Sequence, residues 1–553
     1  MPDSGLNSSR SAPAPVIPRL RVGKLCVAIQ AGSVEELFAR AEAALADSKF
    51  LELRLDLLPH PAEALPKVGE FLARHRDAMV IATCRRQPFG GNFEGTLATE
   101  LETLMKAAQA GCQIVDLEVE SAEEAAPRQW EKLRAALHAE GAALLLSFHD
   151  FSRTGDLEQA ARRIEAFRPD FIKVVSTACT LADNLAVLRL IKDRSRSAEV
   201  VGIAMGEEGL VSRVLGLRAG AAFTFASFSN GAGTGSGTKT GSGVNAGSKA
   251  KTEAGLQAGN GIQTAPGQLT VRTLRDLYRA EQLDQATRIF GMAGNPIAHS
   301  LSPLMQNTAF RRESVNAVLI PLKTSALDDL LTLARELPLA GVAVTMPLKQ
   351  EVLPHLANAD PLTSRIGACN TLRTGADGKL YGFNTDVAGV VRPLEKRLKL
   401  KGARIAVLGA GGAARAAVFG LVEQGAEVFI VNRTHEKAVQ LASESKAQAL
   451  TREQFAQGRF DVLINSTPCG MTGAKPALPI KENELNAGLV FDLVYSPLET
   501  PLLKLAKERG IPTVTGLEMF VQQGARQFEI WTGKPAPEAE MLRVVELALR
   551  KHK

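Results

Sequence analysis

From Lys24 to Ser227, short apolar runs alternate with stretches whose apolar residues recur three and four positions apart. The runs are KLCVAIQ, FLELRLDLL, MVIATCR, CQIVDLEVE, ALLLSFHD, FIKVVS, VVGIAMG and AAFTFAS. Their length suits buried strands, whereas SVEELFARAEAALAD and LATELETLMKAAQAG carry the i, i+3, i+4, i+7 spacing of amphipathic helices. Eight such strand–helix repeats predict a closed (β/α)₈ barrel. The repeat needs an eighth helix after AAFTFAS, and the next amphipathic stretch is LTVRTLRDLYRAEQL. Between the two lies a tract, residues 229–263, built mostly of Gly, Ser, Thr, Ala, Asn and Lys. The tract is therefore expected to interrupt the loop after strand 8, not to join domains. Such an insertion costs little, since each doubling of loop length adds about 0.6 kcal/mol of closure entropy.

A new strand opens at Arg288, and further on the period changes character. ARIAVLGAGGAARAAVFGLVEQGAEVFIVNRT runs an apolar strand into Gly409, Ala410, Gly411, Gly412 and Ala413, then a small-residue helix, then a second strand. That is the turn through which a βαβ unit brings pyrophosphate to a helix N-terminus. Its spacing is GAGGAA and not the strict G-x-G-x-x-G. The predicted architecture is α/β throughout: an N-terminal (β/α)₈ barrel, then a two-lobed α/β unit whose C-terminal lobe is a Rossmann-like dinucleotide domain. The expected limits are a disordered N-terminus at 1–22, the barrel at 23–284, a substrate-binding lobe at 288–395 and a nucleotide lobe at 396–553.

Composition narrows the partners. At 553 residues the chain exceeds one core, and 45% hydrophobic with 22% charged residues is ordinary globular composition. The net charge of +6 is spread along the chain, without a basic stripe interleaved with aromatics. No nucleic-acid partner is expected, and small anionic substrates suit the balance. No apolar run is long enough to cross a bilayer, and MPDSGLNSSRSAPAPVIPRLR has no hydrophobic signal core. That opening is also acid-poor and contains serine, so an organelle-targeting remnant is the alternative to a disordered terminus. Cys26, Cys84, Cys112, Cys179, Cys369 and Cys469 form no C-x-x-C pair. They read as free thiols of a reducing compartment, with the cytoplasm preferred over the plastid. The eight histidines form no ligand cluster, so no metal is expected.

Charges inside the barrel strands carry the chemistry. Glu52, Arg54 and Asp56 alternate with leucines and share a face of strand 2, and Asp116 and Glu118 do the same on strand 4. Such charges either pair with one another or serve a site. Arg85, His149 and Arg213, read as strand-end groups, favour the site, because barrel enzymes work at that end. Lys173 lies in the apolar strand DFIKVVS. It is either a snorkelling edge residue or a nucleophile able to form a Schiff base, and the nearby histidine favours the second reading.

ELRLD, ATCR, SFHDF, FIKVV, MGEEGLVSR and TAPGQ occur in order, and from Leu25 to Leu283 the chain resembles type I 3-dehydroquinate dehydratase. The resemblance implies an imine on Lys173, with His149 removing the adjacent proton and returning it to the departing hydroxyl. It assigns Glu52, Arg54, Arg85, Arg213, Thr264 and Gln268 to substrate binding. Phe89 stands where that family often has a glutamate, and Glu94 lies a few residues on. Loop 8 of the family is short, and its closing glutamine corresponds to Gln268. The tract then interrupts the lid, and deleting Asn230 to Gly261 is expected to leave turnover intact or tighten apparent substrate affinity.

In the second half, the strand-end NRT places Asn432, Arg433 and Thr434 where an NAD enzyme usually has an acid. Arg433 offers a planar cation to a 2′-phosphate, which favours NADP; a surface arginine capping the strand is the plainer alternative. HSLSP, VTMPLK, GACNTL, NTD, GAGGAAR, NRT, NSTPCGM, DLVYSPLETPLL and GLEMFVQQG together resemble shikimate dehydrogenase from Arg288 to the C-terminus. By that resemblance Lys349 and Asp386 form the catalytic pair. Ser300, Ser302, Thr345, Asn370, Tyr495 and Gln523 bind substrate, and Thr467, Met471, Leu493 and Gly516 line the nicotinamide side. Ala343 departs from the asparagine common there. The two resemblances imply successive steps, 3-dehydroquinate to 3-dehydroshikimate to shikimate with NADPH. A quinate-using reductase and a metabolite sensor on inactive domains are the alternatives, and the four intact catalytic residues weigh against the sensor. Oligomeric state and channelling are not legible in the sequence.

Overall fold

The computed structural model of the chain describes residues 20–229, 261–262, 265–472 and 477–551. Most of the expected disordered N-terminus, most of the Gly/Ser-rich tract, and Thr264 lie outside them. The chain divides into two compact units near Arg275.

In the first unit the apolar runs form β1 (Leu25–Ile29), β2 (Phe50–Arg54), β3 (Met79–Thr83), β4 (Ile114–Glu118), β5 (Ala143–His149), β6 (Phe171–Thr177), β7 (Glu199–Met205) and β8 (Thr224–Ser229). All neighbours pair in parallel in the order β7-β6-β5-β4-β3-β2-β1-β8. The seam between β7 and β8 carries a single bond from Ala222 N–H to the Val200 carbonyl, 2.8 Å, so the eight-stranded barrel is nearly closed. Helices α1 (Val34–Ala44), α2 (Leu65–Arg74), α3 (Leu97–Gln109), α4 (Pro127–Ala139), α5 (Leu157–Glu165), α6 (Asp183–Arg194) and α7 (Leu210–Ala219) follow the first seven strands. Ser33, Thr96 and Asp156 start α1, α3 and α5 by accepting a backbone N–H three residues on. Phe50, Phe171 and Phe223 meet edge-on inside the barrel at centroid distances of 4.9 and 5.9 Å, giving it an apolar floor.

Three expectations need correction. The stretch expected as the eighth helix forms only a π turn, Thr273–Leu277, and a 3₁₀ turn, Ala280–Gln282, separated by Arg279 in the left-handed region at φ 53°. Tertiary anchors hold it instead: Arg272 pairs with the Asp47 carboxylate and Arg275 with its carbonyl, while Leu274 is fully buried. Asp56 lies past the end of β2 in a 3₁₀ turn and reaches back to Arg54. Arg213 is not at a strand end but in the first turns of α7.

Beyond Ser229 the chain returns as β9 (Gly261–Ile262), antiparallel to the end of β8. The two ends of the tract are thus hydrogen-bonded neighbours.

The second unit holds two six-stranded sheets. The first comprises β10 (Arg288–Gly294), β11 (Ala317–Lys323), β12 (Leu339–Val344), β13 (Asn358–Ala359), β14 (Thr371–Thr374) and β15 (Leu380–Phe383), in the order β11-β10-β12-β14-β15-β13 with β14 antiparallel to both neighbours. The second comprises β16 (Arg404–Leu408), β17 (Glu427–Val431), β18 (Gln448–Ala449), β19 (Phe460–Asn465), β20 (Ala487–Asp492) and β21 (Thr513–Val514). It is all parallel, with spatial order β18-β17-β16-β19-β20-β21, the doubly wound dinucleotide-binding topology.

Among the helices, α8 (Ser302–Arg312), α9 (Leu327–Glu336) and α13 (Glu538–Lys551) belong with the first sheet, and α11 (Gly412–Glu423) follows β16. Helices α10 (Asp386–Glu395) and α12 (Gly516–Thr532) pack against each other between the sheets. The contact is close because Gly389 has no side chain: a Cβ there would stand 2.9 Å from the Met519 carbonyl. Arg392 clamps Glu529 across it with two bonds of 2.9 and 2.7 Å. Trp531 of α12 stacks on Phe290 and donates to the Leu372 carbonyl, which fixes α12 to the first sheet.

Candidate active sites

The barrel register sets one row of side chains beside another. Glu118, Ser147 and Lys173 are neighbours across β4, β5 and β6, and Arg54, Thr83 and Asp116 across β2, β3 and β4. All six are buried. The Lys173 ammonium lies 2.7 Å from Asp116 Oδ2, 3.8 Å from Glu52 Oε1, and 4.4 Å from the Phe225 ring centre. Arg85 reaches Glu118 Oε1 at 2.5 Å and Asp116 at 3.7 Å. His149 Nδ1 lies 2.7 Å from Glu118 Oε1. Both contacts to Glu118 are short but off the N–H axis: the one from Arg85 is an ion pair, and the one from His149 sets a carboxylate oxygen against Nδ1. Ser147 Oγ stands 2.6 Å from Asp116 Oδ1 and 3.0 Å from Glu118 Oε1.

The two β4 carboxylates are driven apart electrostatically. Burial raises both, but for Asp116 the attraction of Lys173 and Arg85 outweighs it and holds the carboxyl down at about 2. For Glu118 burial prevails, helped by the Asp116 charge and opposed by Arg85, and lifts the carboxyl to about 7. Burial, then the Arg85 and Lys173 cations, keeps His149 well below its usual value, so its imidazole is neutral at pH 7 and able to accept a proton.

Above this cluster is a cavity of about 210 Å³, and Lys173, His149, Glu52, Arg54, Arg85, Arg213 and Gln268 all line it. Arg213 is 1% exposed and burial alone brings it down to about 10. It donates to the Pro266 carbonyl at 2.9 Å, while its Nε has no partner. An arginine buried this way supplies donors for an anionic group. Segment 265–268 closes one side: Pro266 accepts from Gly206 N–H, and Gly267, at φ 70°, would put a Cβ 2.2 Å from the Gly206 carbonyl. Phe89 does not line the cavity; its ring lies 5.0 Å from the Arg86 guanidinium. Asn92, Phe151 and Phe225 do line it and were not singled out by the sequence.

In the second unit Lys349 Nζ stands 2.7 Å from Asp386 Oδ2, and Asp386 opens α10. Asn370 holds the carboxylate from the other side, its Nδ2 donating to Oδ1 at 2.8 Å. Its Oδ1 accepts from Thr385 N–H at 2.8 Å and from the hydroxyls of Thr371 and Thr385. A cavity of about 380 Å³ is lined by Ser300, Ser302, Thr345, Lys349, Asn370, Asp386, Leu493, Tyr495 and Gln523, all anticipated. Ala343 also lines it, as do Met519 and Phe520, which lie within GLEMFVQQG without being assigned to the site, and Met292 and Gln527, which fall in none of the motifs. Tyr495 stacks on Phe520 at 5.2 Å, and burial raises its hydroxyl pKa.

A larger hollow of about 900 Å³ follows the ends of β16, β17 and β19. Gly409, Ala410, Gly411, Asn432, Arg433, Thr434 and Thr467 line it, together with Lys437 and Arg452. The residues fit a dinucleotide. Gly409 sits at φ 111°, where a Cβ would meet Ser466 Oγ at 2.6 Å, and Gly411 and Gly412 face open space a Cβ would occupy. The N-terminus of α11 has no side-chain cap, leaving its N–H groups for an anion. Gly412 and Ala413 form its first turn. Met471 is largely exposed, and Gly516 abuts the Leu493 and Val494 backbone; neither lines the hollow or the 380 Å³ cavity. Among the described residues no group of three or more His, Cys, Asp or Glu is placed to hold a metal, and no helix is long and apolar enough to cross a membrane.

A buried lysine–histidine barrel site joined to a dinucleotide-binding unit with a lysine–aspartate pair defines a two-activity enzyme, a lyase coupled to a reductase. The family described as Type I 3-dehydroquinase matches residues 25–242. The shikimate dehydrogenase substrate binding domain matches 292–372, the shikimate/quinate 5-dehydrogenase family 393–472, and the shikimate 5'-dehydrogenase C-terminal domain 516–546. The chloroplastic bifunctional 3-dehydroquinate dehydratase/shikimate dehydrogenase of Arabidopsis thaliana is 32% identical over 93% of this chain and 83% of its own length. The NADP(+) shikimate dehydrogenase of Methanosarcina acetivorans is 40% identical over 48% of this chain and 99% of its own. The solved shikimate 5-dehydrogenase from Thermus thermophilus, in complex with NADP(H) and shikimate, is 37% identical and covers 47% of this chain and 99% of its own, with a TM-score of 0.44. The chain belongs to the bifunctional 3-dehydroquinate dehydratase/shikimate dehydrogenase family.

Proposed function

We propose that the chain dehydrates 3-dehydroquinate to 3-dehydroshikimate in its barrel and reduces that product to shikimate with NADPH in its second unit. The supporting observation is the convergence of Lys173 and His149 on one buried cavity that Arg54, Arg85 and Arg213 also line. The barrel spans 23–284, the substrate lobe 288–395 and the nucleotide lobe 396–553. The tract at 229–263 is a lid-loop insertion, a reading supported by the pairing of β8 with β9 at its two ends.

In the barrel the Lys173 amine attacks the substrate ketone, and the carbinolamine loses water to leave an imine. The imine acidifies the neighbouring C–H, whose proton passes to neutral His149 while the electron pair enters an enamine. The enamine expels the β-hydroxyl, which leaves as water with the proton His149 carries. Hydrolysis of the imine then frees Lys173. At rest the Lys173 ammonium donates to Asp116 Oδ2, and it releases one proton to solvent before the free amine attacks. Glu52, Arg54, Arg85, Arg213, Thr264 and Gln268 hold the carboxylate and hydroxyls.

In the second unit Ser300, Ser302, Thr345, Asn370, Tyr495 and Gln523 hold the substrate so that its ketone faces Lys349. Gly409 to Ala413 would cradle the pyrophosphate of NADP(H), Asn432, Arg433 and Thr434 its 2′-phosphate, and Thr467 and Leu493 the nicotinamide end, where the resemblance alone also sets Met471 and Gly516. When bound, the cofactor supplies the hydride. Lys349 delivers the proton to the carbonyl oxygen, and Asp386, steadied by Asn370, holds the ammonium in line for it. Six free cysteines favour a cytoplasmic address. The chloroplastic name of the Arabidopsis relative makes the plastid the competing one, to be decided by cell fractionation.

The test follows NADPH absorbance after adding 3-dehydroquinate to the full chain, with Lys173→Ala alongside. Consumption by the wild type and none by the variant supports both steps. Equal consumption by both means the second unit reduces dehydroquinate itself, a quinate-type reductase. No consumption with either 3-dehydroquinate or 3-dehydroshikimate overturns the proposal.

A further inference from the structure

Strand β4 ends in Asp-Leu-Glu, and its two inward carboxylates divide the catalytic pair between them. Asp116 takes Lys173 and Glu118 takes His149, each at 2.7 Å. Glu118 is 2% exposed and does not line the cavity, so it touches the histidine from behind. Among the described residues it is the one carboxylate at ion-pair distance from a His149 nitrogen. In the loop after β3, Phe89 lies under Arg86 and Glu94 is exposed, with neither in an ion pair with His149. Glu118 is itself held by Arg85 and Ser147, so its carboxylate has a fixed direction.

We propose that Glu118 is the positioning residue for His149, occupying Nδ1 so that Nε2 is the nitrogen that works on the substrate. An imidazole has two nitrogens and only one can carry the proton in the neutral ring. Whichever group engages the far nitrogen therefore decides which one is basic toward the cavity. A carboxylate behind Nδ1 keeps the proton there and also steadies the imidazolium formed once the substrate proton has moved. Imine formation, which belongs to Lys173, does not need this contact. The inference rests on His149 being the base of the dehydration proposed above.

The experiment uses the full chain and compares wild type, Glu118→Gln, Glu118→Asp, His149→Ala and the Glu118→Gln/His149→Ala double variant. Dehydration is read from the absorbance of the conjugated enone, and imine formation from the mass of the borohydride-trapped adduct. Reduction of 3-dehydroshikimate serves as the folding control. Glu118→Gln should lose ten- to a hundredfold in kcat with KM within threefold, keep the trapped adduct and keep full reductase activity. Glu118→Asp should recover part of the loss. In the His149→Ala background the Glu118 change should cost nothing further, since a group acting only through His149 has nothing left to act on. Undiminished kcat in Glu118→Gln overturns the inference, and so do additive losses in the double variant or loss of the adduct along with kcat. Wild-type enzyme that fails to dehydrate at all overturns instead the reading of the barrel.

Discussion

Asn370→Ala should injure the reductase unit in stability and in rate, by amounts that follow from its contacts. Asn370 is 3% exposed, and its carboxamide works in two directions. It donates to Asp386 Oδ1 at 2.8 Å and accepts from the Thr385 backbone N–H at 2.8 Å. Thr385 is itself buried, so after the substitution its N–H is stranded, at a cost of about 1–3 kcal/mol. The bond to the ionised carboxylate is worth about 1.5–3 kcal/mol. The hydroxyls of Thr371 and Thr385 lie 3.2 Å apart and can pair with each other, so they add little. The sum, about 2.5–6 kcal/mol, lowers the unfolding midpoint of the second unit by roughly 5–24 °C. The freed Asp386 carboxylate no longer fixes Lys349, and kcat for reduction should fall about 10–100-fold. Calorimetry on the full chain reads the first quantity and NADPH absorbance with 3-dehydroshikimate the second, while dehydration in the barrel should be unchanged. Asn370→Asp separates the roles: it can still accept from Thr385 N–H but sets two carboxylates against each other. It should recover stability only in part and have the lower rate. A second-unit midpoint within 1 °C of wild type, with kcat within twofold, would refute the reasoning.

Four further outcomes are expected. Arg433→Ser should raise the KM for NADPH at least tenfold and leave that for NADH nearly unchanged, because the planar cation has no role toward a free 2′-hydroxyl; steady-state kinetics with both cofactors checks this. Gly267→Ala should raise the dehydratase KM several-fold with little change in reductase activity, since its Cβ collides with the Gly206 carbonyl in a left-handed turn; unchanged KM would mean segment 265–268 does not close over the substrate. Removing residues 230–260 with a two-residue turn in their place should keep β8 paired with β9 and leave kcat within twofold, measured by the enone absorbance. The pH dependence of barrel stability should differ between wild type and Glu118→Gln. A folded-state value near 7 for Glu118, against about 4.3 in the unfolded chain, means the folded form keeps a proton that the unfolded form has released. Its contribution is therefore full below about pH 4, lost as pH rises towards 7, and flat above. The variant should gain on wild type between pH 5 and pH 8 in urea titrations, and a constant difference would contradict the raised carboxyl.

The alternation of apolar runs with 3.6-residue periods was enough to specify a barrel, because period and strand length depend on local chemistry. The Gly409–Gly412 turn was legible for a similar reason: a strand, glycines and a small-residue helix in succession leave few other folds. The eighth helix shows where this stops. LTVRTLRDLYRAEQL has helical spacing, but Asp47, 225 residues earlier, captures Arg272 and the segment turns instead as a π turn. Asp116 and Glu118 could be seen as interior charges, yet their division between Lys173 and His149 depends on the register of β4 with β5 and β6. Met519 and Phe520 lie in GLEMFVQQG and Gln527 just beyond it, yet nothing local assigns them to the site; they reach the reductase cavity because α12 is tied to β14 and packed on α10.

The sequence by itself determined the two fold classes through period and strand length, and its resemblances singled out Lys173, His149, Lys349 and Asp386 as the proposed catalytic residues and Arg433 as the proposed partner of a 2′-phosphate. Tertiary structure alone decided the electrostatics: why Asp116 falls to about 2 while Glu118, two residues on, rises to about 7. The reason is physical. A charge's free energy depends on burial and on partners brought from other strands, and neither is encoded at the residue's own position.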